Sequence, residues 1–112
     1  MATGQLLKGV LEGCILGIIS KKETYGYEIV EYLQRYGFDD ILEGTVYPIL
    51  LRLEKRGSLS SEYRKSEIGP MRKYVTLTEV GTKELEEFQE SWIQLQRAVK
   101  LSTCETIIND LD

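Results

Sequence analysis

Cationic side chains, the groups best suited to chemistry in this 112-residue sequence, are concentrated in one short segment. Residues 52–73 hold seven of the 14 lysines and arginines and only three acidic residues, although the whole chain has a formal net charge of −4. A local surplus of cations on an acidic protein attracts phosphate to one side. The segment therefore indicates a nucleic-acid contact, and the alternative for any single cation is a solvated surface position. The seven cations are Arg52, Lys55, Arg56, Arg64, Lys65, Arg72 and Lys73.

A helix that would carry the first of these cations is predicted at residues 43–57, EGTVYPILLRLEKRG. We expect Thr45 to cap it, Pro48 to lie in its first turn, where the missing N–H costs no helical hydrogen bond, and Gly57 to end it. Four apolar residues at helical spacing predict a buried stripe: Val46, Ile49, Leu50 and Leu53. The opposite face, polar or aromatic first and cationic later, suits base edges and phosphates. Its residues are Thr45, Tyr47, Pro48, Leu51, Arg52 and Lys55.

Residues that could form a catalytic or metal site are sparse. The chain has no histidine, the commonest general base and metal ligand in proteins. Cys14 and Cys104 match no metal-ligand spacing, and the adjacent Asp39 and Asp40 are more typical of a loop than of an ion site. No nucleophile elbow or phosphate-cradling glycine loop occurs. We therefore expect no enzyme, no metal site and no cofactor.

Two helices are predicted before this segment. The first follows from a near-four repeat of apolar residues and contains Gly9, Gly13 and Gly17 at spacings of four. Each glycine inside a helix costs about 1 kcal/mol relative to alanine, so we expect close approach by a helix or a bulky side chain. The alternative is that the glycines are merely tolerated. The second helix is expected to be capped by Thr24 and to run from Tyr25, on its apolar face, to a stop at residue 37.

A short β-hairpin is predicted after residue 57. Alternating residues at 59–64 and 74–77 indicate two strands, and Gly69-Pro70 supplies a turn between them. Four of the cations cluster near the tip of this hairpin: Arg64, Lys65, Arg72 and Lys73. Three helices followed by a basic hairpin is the order of a winged helix-turn-helix, so we expect a mainly α fold of the α+β class.

A long amphipathic helix is predicted from the cap Thr78 onward. Apolar residues spaced three and four apart form a narrow seam typical of helix pairing: Leu85, Phe88, Trp92, Leu95 and Val99. We expect no surface of matching length within the chain, so the seam predicts a homodimer. Residues 1–77 would be the DNA-binding part and 78–112 the dimerisation helix of one continuous domain, with an extra helical turn at 107–111 after a cap at Ser102.

The composition is that of one ordinary globular domain, with 42% hydrophobic and 29% charged residues. No apolar run approaches the roughly 20 residues of a membrane helix, and no cationic leader precedes an apolar segment. We expect a cytoplasmic protein.

Three sequence blocks together resemble the PadR family of bacterial transcriptional regulators, in its short-tailed subgroup. The blocks are YGYEI at 25–29, GTVYPILLRLEKRG at 44–57 and GPMRKYVTLTEVG at 69–81, and they cover nearly the whole chain with the same spacing. The resemblance implies a winged-helix DNA-binding domain and a C-terminal helix that pairs two subunits with help from the first helix. It also implies a repressor that a small effector releases from DNA.

The resemblance also implies roles for individual residues. Base-reading positions would be Thr45, Tyr47, Pro48 and Arg52, and wing positions would be Lys65, Arg72 and Lys73. The chain departs from the family at Val75, where members often have a second tyrosine, and in the uncharged tip at residues 68–70. Both departures bear on the contribution of the wing and not on the fold.

An effector site is suggested by Trp92, because some relatives bind flat aromatic compounds between subunits through a tryptophan on the pairing helix. Trp92 lies in the matching context FQESW, next to Phe88 in the seam, and Gly9 and Gly13 are placed on the helix that would face it. The simpler alternative is that Trp92 is a core anchor.

These features predict a sequence-specific regulator of transcription that binds double-stranded DNA as a homodimeric repressor on a near-palindromic operator. The alternative is a winged-helix module that binds a protein partner without DNA. The local cations favour DNA, because a protein adaptor does not require them beside that helix.

Overall fold

The described part of the chain, residues 4–105 without the side chains of Gln5 and Lys8, forms four helices and a three-stranded sheet in this computed structural model. The helices are α1 (Gly4–Lys21), α2 (Gly26–Arg35), α3 (Glu43–Lys55) and α4 (Glu79–Thr103), and the strands are β1 (Thr24–Tyr25), β2 (Leu59–Lys65) and β3 (Met71–Leu77). The predicted winged helix-turn-helix fold, mainly α with a small β wing, is confirmed.

The core forms where the apolar stripes of α1, α2 and α3 meet. Five aliphatic side chains at its centre are almost completely buried, and each contributes about 1.5–3 kcal/mol through removal from water. They are Ile15, Ile29, Leu33, Val46 and Leu53. The stripe predicted on α3 is confirmed, because Val46, Ile49 and Leu53 are buried and Leu50 is partly buried against them.

The sheet is antiparallel with strand order β1-β3-β2, so β3 is its central strand. Val75 pairs with Thr24 on one side and Ser61 on the other, and its side chain enters the core. The hairpin is longer than predicted, since pairing continues to Lys65 and Met71. The sequence alternation is weak at that end because most of its side chains are exposed on both faces.

The start of α2 differs from the prediction. Thr24 does not cap the helix, and Tyr25 does not belong to it: both form β1, and α2 begins at Gly26 after an N-cap residue, Tyr25, that makes no capping side-chain bond. The Thr24 hydroxyl instead donates to Glu28 Oε1 at 2.6 Å. A strand of two residues has no periodicity, so its pairing with β3 could not be recognised from the sequence. The predicted stop is confirmed, because Gly37 has a φ of +112°.

The start of α3 also differs. Leu42 and not Thr45 is the N-cap residue, and its carbonyl accepts the N–H groups of Thr45 and Val46 at 3.0 and 3.2 Å. Thr45 is therefore the third residue of the helix and Pro48 the sixth. At that position proline removes one hydrogen bond of the helix, the one to the carbonyl four residues earlier. The predicted end is confirmed, with Gly57 at a φ of +85°.

The first half of α4 packs on α1. Thr78 caps α4 as predicted, accepting the N–H of Gly81 at 3.1 Å. The ring of Phe88 lies on Gly13 so closely that a Cβ there would come within 2.4 Å of it. Gly17 has a looser contact with Leu85, and Gly9 has nothing within 4 Å, so the predicted close packing holds at Gly13 only. The expectation that α4 lacks an intrachain surface is wrong for this half.

The second half of α4 extends away from this contact, and its side chains from Gln89 to Thr103 are all exposed. The Ser102 hydroxyl donates to the carbonyl of Ala98 at 2.7 Å, so Ser102 continues α4 and is not the predicted cap. The extra turn predicted at 107–111 lies outside the described residues. None of the described helices combines the length and apolar character needed to cross a bilayer.

Candidate nucleic-acid interface

The outward face of α3 is open to solvent. All six residues predicted to face outward are exposed, while the stripe behind them is buried. The uncharged members occupy the first turns, and the cations lie in the last turn, where they also complement the negative end of the helix dipole. This order places hydrogen-bonding and apolar groups ahead of the phosphate-binding ones. The exposed residues are Thr45, Tyr47, Pro48, Leu51, Arg52 and Lys55.

A groove of about 640 Å³ separates α3 from the hairpin. Four tyrosines and four aliphatic or thioether side chains line it, and three charged residues complete its wall. The groove is thus an aromatic surface between the two elements that a winged helix uses on DNA. Its lining side chains are Tyr25, Tyr27, Tyr47, Tyr63, Leu50, Leu51, Met71 and Val75, with Glu54, Arg72 and Lys73.

Tyr47 joins α3 to the start of α2. The residue is 46% exposed, and the covered side of its ring lies on Gly26, the first residue of α2. A Cβ built on Gly26 would come within 2.0 Å of the Cε1 atom of Tyr47. Sequence reasoning did not find this contact, because the two residues lie 21 positions apart and neither belongs to a hydrophobic repeat.

The wing cations differ in their surroundings. The guanidinium of Arg72 is exposed and stacks over the ring of Tyr25, 4.5 Å from its centroid. Lys65 is exposed at the far end of β2. Lys73, by contrast, places its Nζ 2.7 Å from Glu54 Oε1, so this wing lysine already neutralises a carboxylate of α3. Hydrogen bonds from Lys73 and then Ser61 hold the pKa of Glu54 below its ordinary value.

Arg64 also forms ion pairs within the chain. It pairs with Glu23 and, at 3.0 Å, with Glu62, and its guanidinium lies 5.0 Å from the ring centroid of Tyr74. The hydrogen bonds that Arg64 donates to Glu23 and Glu62 raise its pKa. Of the four cations predicted near the hairpin tip, Lys65 and Arg72 therefore present the most available positive charge.

A charged junction fixes the C-terminal end of α3. Arg56 Nη2 lies 2.8 Å from Glu12 on α1 and 2.6 Å from Glu84 on α4. The buried hydroxyl of Ser58 also donates to Glu84 at 2.6 Å, and Arg52 approaches Glu12 at 3.5 Å. Burial raises the pKa of Glu84, but the hydrogen bonds from Arg56 and Ser58 outweigh it and the net pKa is lowered. Sequence reasoning missed this junction because its partners are distant along the chain.

The predicted effector residues are only partly brought together. Phe88 and Gly13 touch, so the ring fills the space that the missing Cβ leaves. Gly9 lies one turn earlier on α1, where a Cβ would have nothing within 4 Å, and Trp92 lies one turn later on α4 with 41% of its surface exposed. Among the described residues, no group of three or more histidines, cysteines or acidic residues could hold a metal ion.

A winged helix-turn-helix with an exposed, cation-flanked third helix defines a DNA-binding protein. The profile of the transcriptional regulator PadR-like family matches residues 15–87. The chain belongs to this family. It is therefore a DNA-binding regulator of transcription and not an enzyme.

Solved structures agree with this assignment. A PadR-like transcriptional regulator from Bacillus cereus is 46% identical, with a TM-score of 0.81 over 91% of this chain and 100% of that one. A Streptococcus transcriptional regulator is also 46% identical, with a TM-score of 0.79 over 88% and 96% of the two chains. A PadR family regulator from Eggerthella lenta is 30% identical, with a TM-score of 0.81 over 91% and 88%.

Proposed function

We propose that this protein is a cytoplasmic homodimeric repressor that binds a near-palindromic operator and is released by a small planar aromatic compound. Residues 1–77 would bind DNA, and residues 78–112 would pair the subunits. The observation that carries the proposal is the exposed face of α3, uncharged in its first turns and cationic in its last, beside a cationic hairpin. Family membership supports DNA over a protein partner as the ligand of this face.

The contacts to DNA divide by chemistry. Thr45, Tyr47 and Pro48 lie in the part of α3 that would enter the major groove, where hydroxyl and apolar groups distinguish base edges. Arg52 lies further along the helix, where a guanidinium can bind phosphate or guanine. The wing would add phosphate contacts through Lys65, Arg72 and Lys73, and Lys73 would have to exchange Glu54 for phosphate to do so.

The second copy of the chain would cover the open seam of α4. Trp92, Leu95 and Val99 lie on one stripe and are 41%, 54% and 52% exposed, which is a large apolar surface for a helix in water. Leu85 and Phe88 already pack within the chain, so they would support the interface from its inner end. Twofold pairing would place two α3 helices in successive major grooves, about 34 Å apart.

The decisive experiment measures assembly and DNA binding on the same preparation. Sedimentation should give a dimer at micromolar concentration, and selection of genomic fragments should return sites with inverted half-sites one helical turn apart. Inserting five base pairs between the half-sites should abolish tight binding, because the second α3 would face the wrong side of the duplex. A monomer, or equal binding to both spacings, would contradict the proposal.

The proposed release by an effector can be tested through the single tryptophan of the chain. Planar aromatic compounds that dissociate the protein from DNA should quench the fluorescence of Trp92 at the same concentrations, because two copies of the indole near the dimer axis would enclose them. In the matched variant Trp92→Leu the same compounds should leave the protein on DNA. Release that persists in this variant would place the effector elsewhere.

A further inference from the structure

The fold requires a glycine at position 26 because there is no room for a side chain, and not because the backbone adopts an unusual conformation. Three described glycines have positive φ, namely Gly37, Gly57 and Gly69, and Gly26 is not among them. Any residue could therefore adopt its backbone conformation at the start of α2. What excludes larger residues is the ring of Tyr47, whose Cε1, Cδ1 and Cζ atoms would lie 2.0, 2.8 and 3.1 Å from a Cβ.

Tyr47 is one of the exposed residues of α3, so the contact joins the proposed base-reading face to the helix in front of it. Gly26 and Tyr47 both line the groove between α3 and the hairpin. A tyrosine has only two side-chain torsions, and a flat support on one side of the ring removes most of the remaining freedom. The ring is then held in one orientation before DNA arrives.

The contact is specific to this glycine. Gly44 also lies in a helix, two residues into α3, but a Cβ there would have nothing within 4 Å. Gly26 is buried, whereas Gly44 is exposed. A methyl group added at position 26 must therefore displace the ring of Tyr47, and because that ring is at the surface it can move into solvent without opening the core.

We infer that Gly26 is a positioning residue for base recognition, which acts by seating the ring of Tyr47 against α2. The inference rests on the proposed DNA-binding function and adds a residue that itself touches no base. Loss of the contact between Gly26 and Tyr47 lowers discrimination between DNA sequences, while the cationic contacts that hold any duplex are unchanged.

The test is a double-mutant cycle on the full-length protein with Gly26→Ala, Tyr47→Ala and the double variant. Each protein is titrated with the tightest genomic duplex recovered by selection and with a shuffled duplex of the same composition. Gly26→Ala should weaken the selected duplex about tenfold, the order of one lost base contact, and change the shuffled duplex less than twofold. Added to Tyr47→Ala, it should cause no further loss.

Thermal unfolding without DNA provides an independent readout of the contact. Gly26→Ala should lower the Tm when Tyr47 is present and should not lower it in the Tyr47→Ala background. Gly44→Ala is the matched control and should hold or raise the Tm in both backgrounds, because alanine has the higher helix propensity. Equal effects of Gly26→Ala in both backgrounds would refute the contact itself.

The outcomes separate the two proposals. If the unsubstituted protein prefers the selected duplex but Gly26→Ala retains that preference, or weakens both backgrounds by the same factor, the positioning role is overturned and DNA binding stands. If the unsubstituted protein binds both duplexes equally, the proposed function fails and the positioning role fails with it.

Discussion

Arg72 and Lys73 are neighbours in the sequence, yet only Arg72 presents its charge to solvent without a carboxylate partner in the described contacts. Arg72→Ala should therefore weaken binding to all duplexes and reduce the slope of log Kd against log salt concentration by about one unit, the value for one phosphate contact. Lys100→Ala, which removes a cation from exposed α4, is the control and should leave the slope unchanged. A slope that is equal in both variants would remove Arg72 from the interface.

Glu54 gives the hairpin a pH-dependent attachment to α3. Because its pKa in the folded protein is lowered by Lys73 and Ser61, its contribution to stability is present above the ordinary value of 4.5 and is lost as the pH falls through the lowered pKa. Glu54→Gln should therefore reduce the free energy of unfolding at pH 7 by less than about 1 kcal/mol, since the pair is partly exposed. The difference should shrink below pH 4.5.

The measurement for Glu54 is urea unfolding of both proteins between pH 7 and pH 3. Glu87→Gln on the exposed side of α4 provides the control, because among the described residues Glu87 forms no ion pair. A Glu54→Gln difference that grows as the pH falls would show that the attachment depends on another group.

At the scale of elements, the closest contact between α1 and α4 is the one at Gly13. Gly13→Ala would place a Cβ within 2.4 Å of the Phe88 ring and should lower the free energy of unfolding by about 1–3 kcal/mol, as overpacking does. Gly9→Ala, one turn earlier with nothing within 4 Å, should be neutral or stabilising by up to about 1 kcal/mol. Denaturant midpoints at constant m-value test the pair, and equal effects would mean that Phe88 yields freely.

The sequence predicts two kinds of feature well: helices with a hydrophobic repeat over several turns, and helix ends where a glycine adopts a positive φ. The stripes of α3 and α4, the cap Thr78 and the stops at Gly37 and Gly57 follow from spacing and from residue chemistry. Strand β1 was not predicted because two residues show no periodicity. Thr24 was wrongly predicted as a cap because it pairs with β3 instead. Thr45 was wrongly predicted as a cap because α3 already begins after Leu42, whose carbonyl accepts the first helical N–H groups.

The candidate site was predictable as a set of exposed residues and not as a set of contacts. Burial of Val46 and Leu53 determines which residues of α3 face outward, so the outward face follows from periodicity alone. The partners of Tyr47, Lys73 and Arg56 depend on how elements meet in space, which a single sequence does not encode locally. The sequence therefore could not show which cations of the wing are already paired with carboxylates.

At the scale of the whole molecule, the open half of α4 should control assembly. Leu95→Glu would place a carboxylate in the centre of the seam and should convert the dimer to a folded monomer, because an unpaired charge is costly in an apolar interface. Binding to a two-half-site operator should fall by at least a hundredfold, while the far-UV spectrum is retained. Gln94→Glu adds the same charge outside the seam and should leave the sedimentation coefficient unchanged. A dimeric Leu95→Glu protein would move the interface elsewhere.

Arg56 pairs with Glu12 and Glu84, so ion pairs connect the end of α3 to α1 and α4. Helix α4 begins at Glu79, and Trp92, in the middle of the seam, lies roughly 20 Å further along at 1.5 Å per residue. In the proposed dimer, a rotation of about 5° where two α4 helices cross at that point would shift each recognition helix by about 2 Å, roughly half a base-pair step. A compound bound at that crossing would thus change how well the two recognition helices fit the operator, without touching DNA.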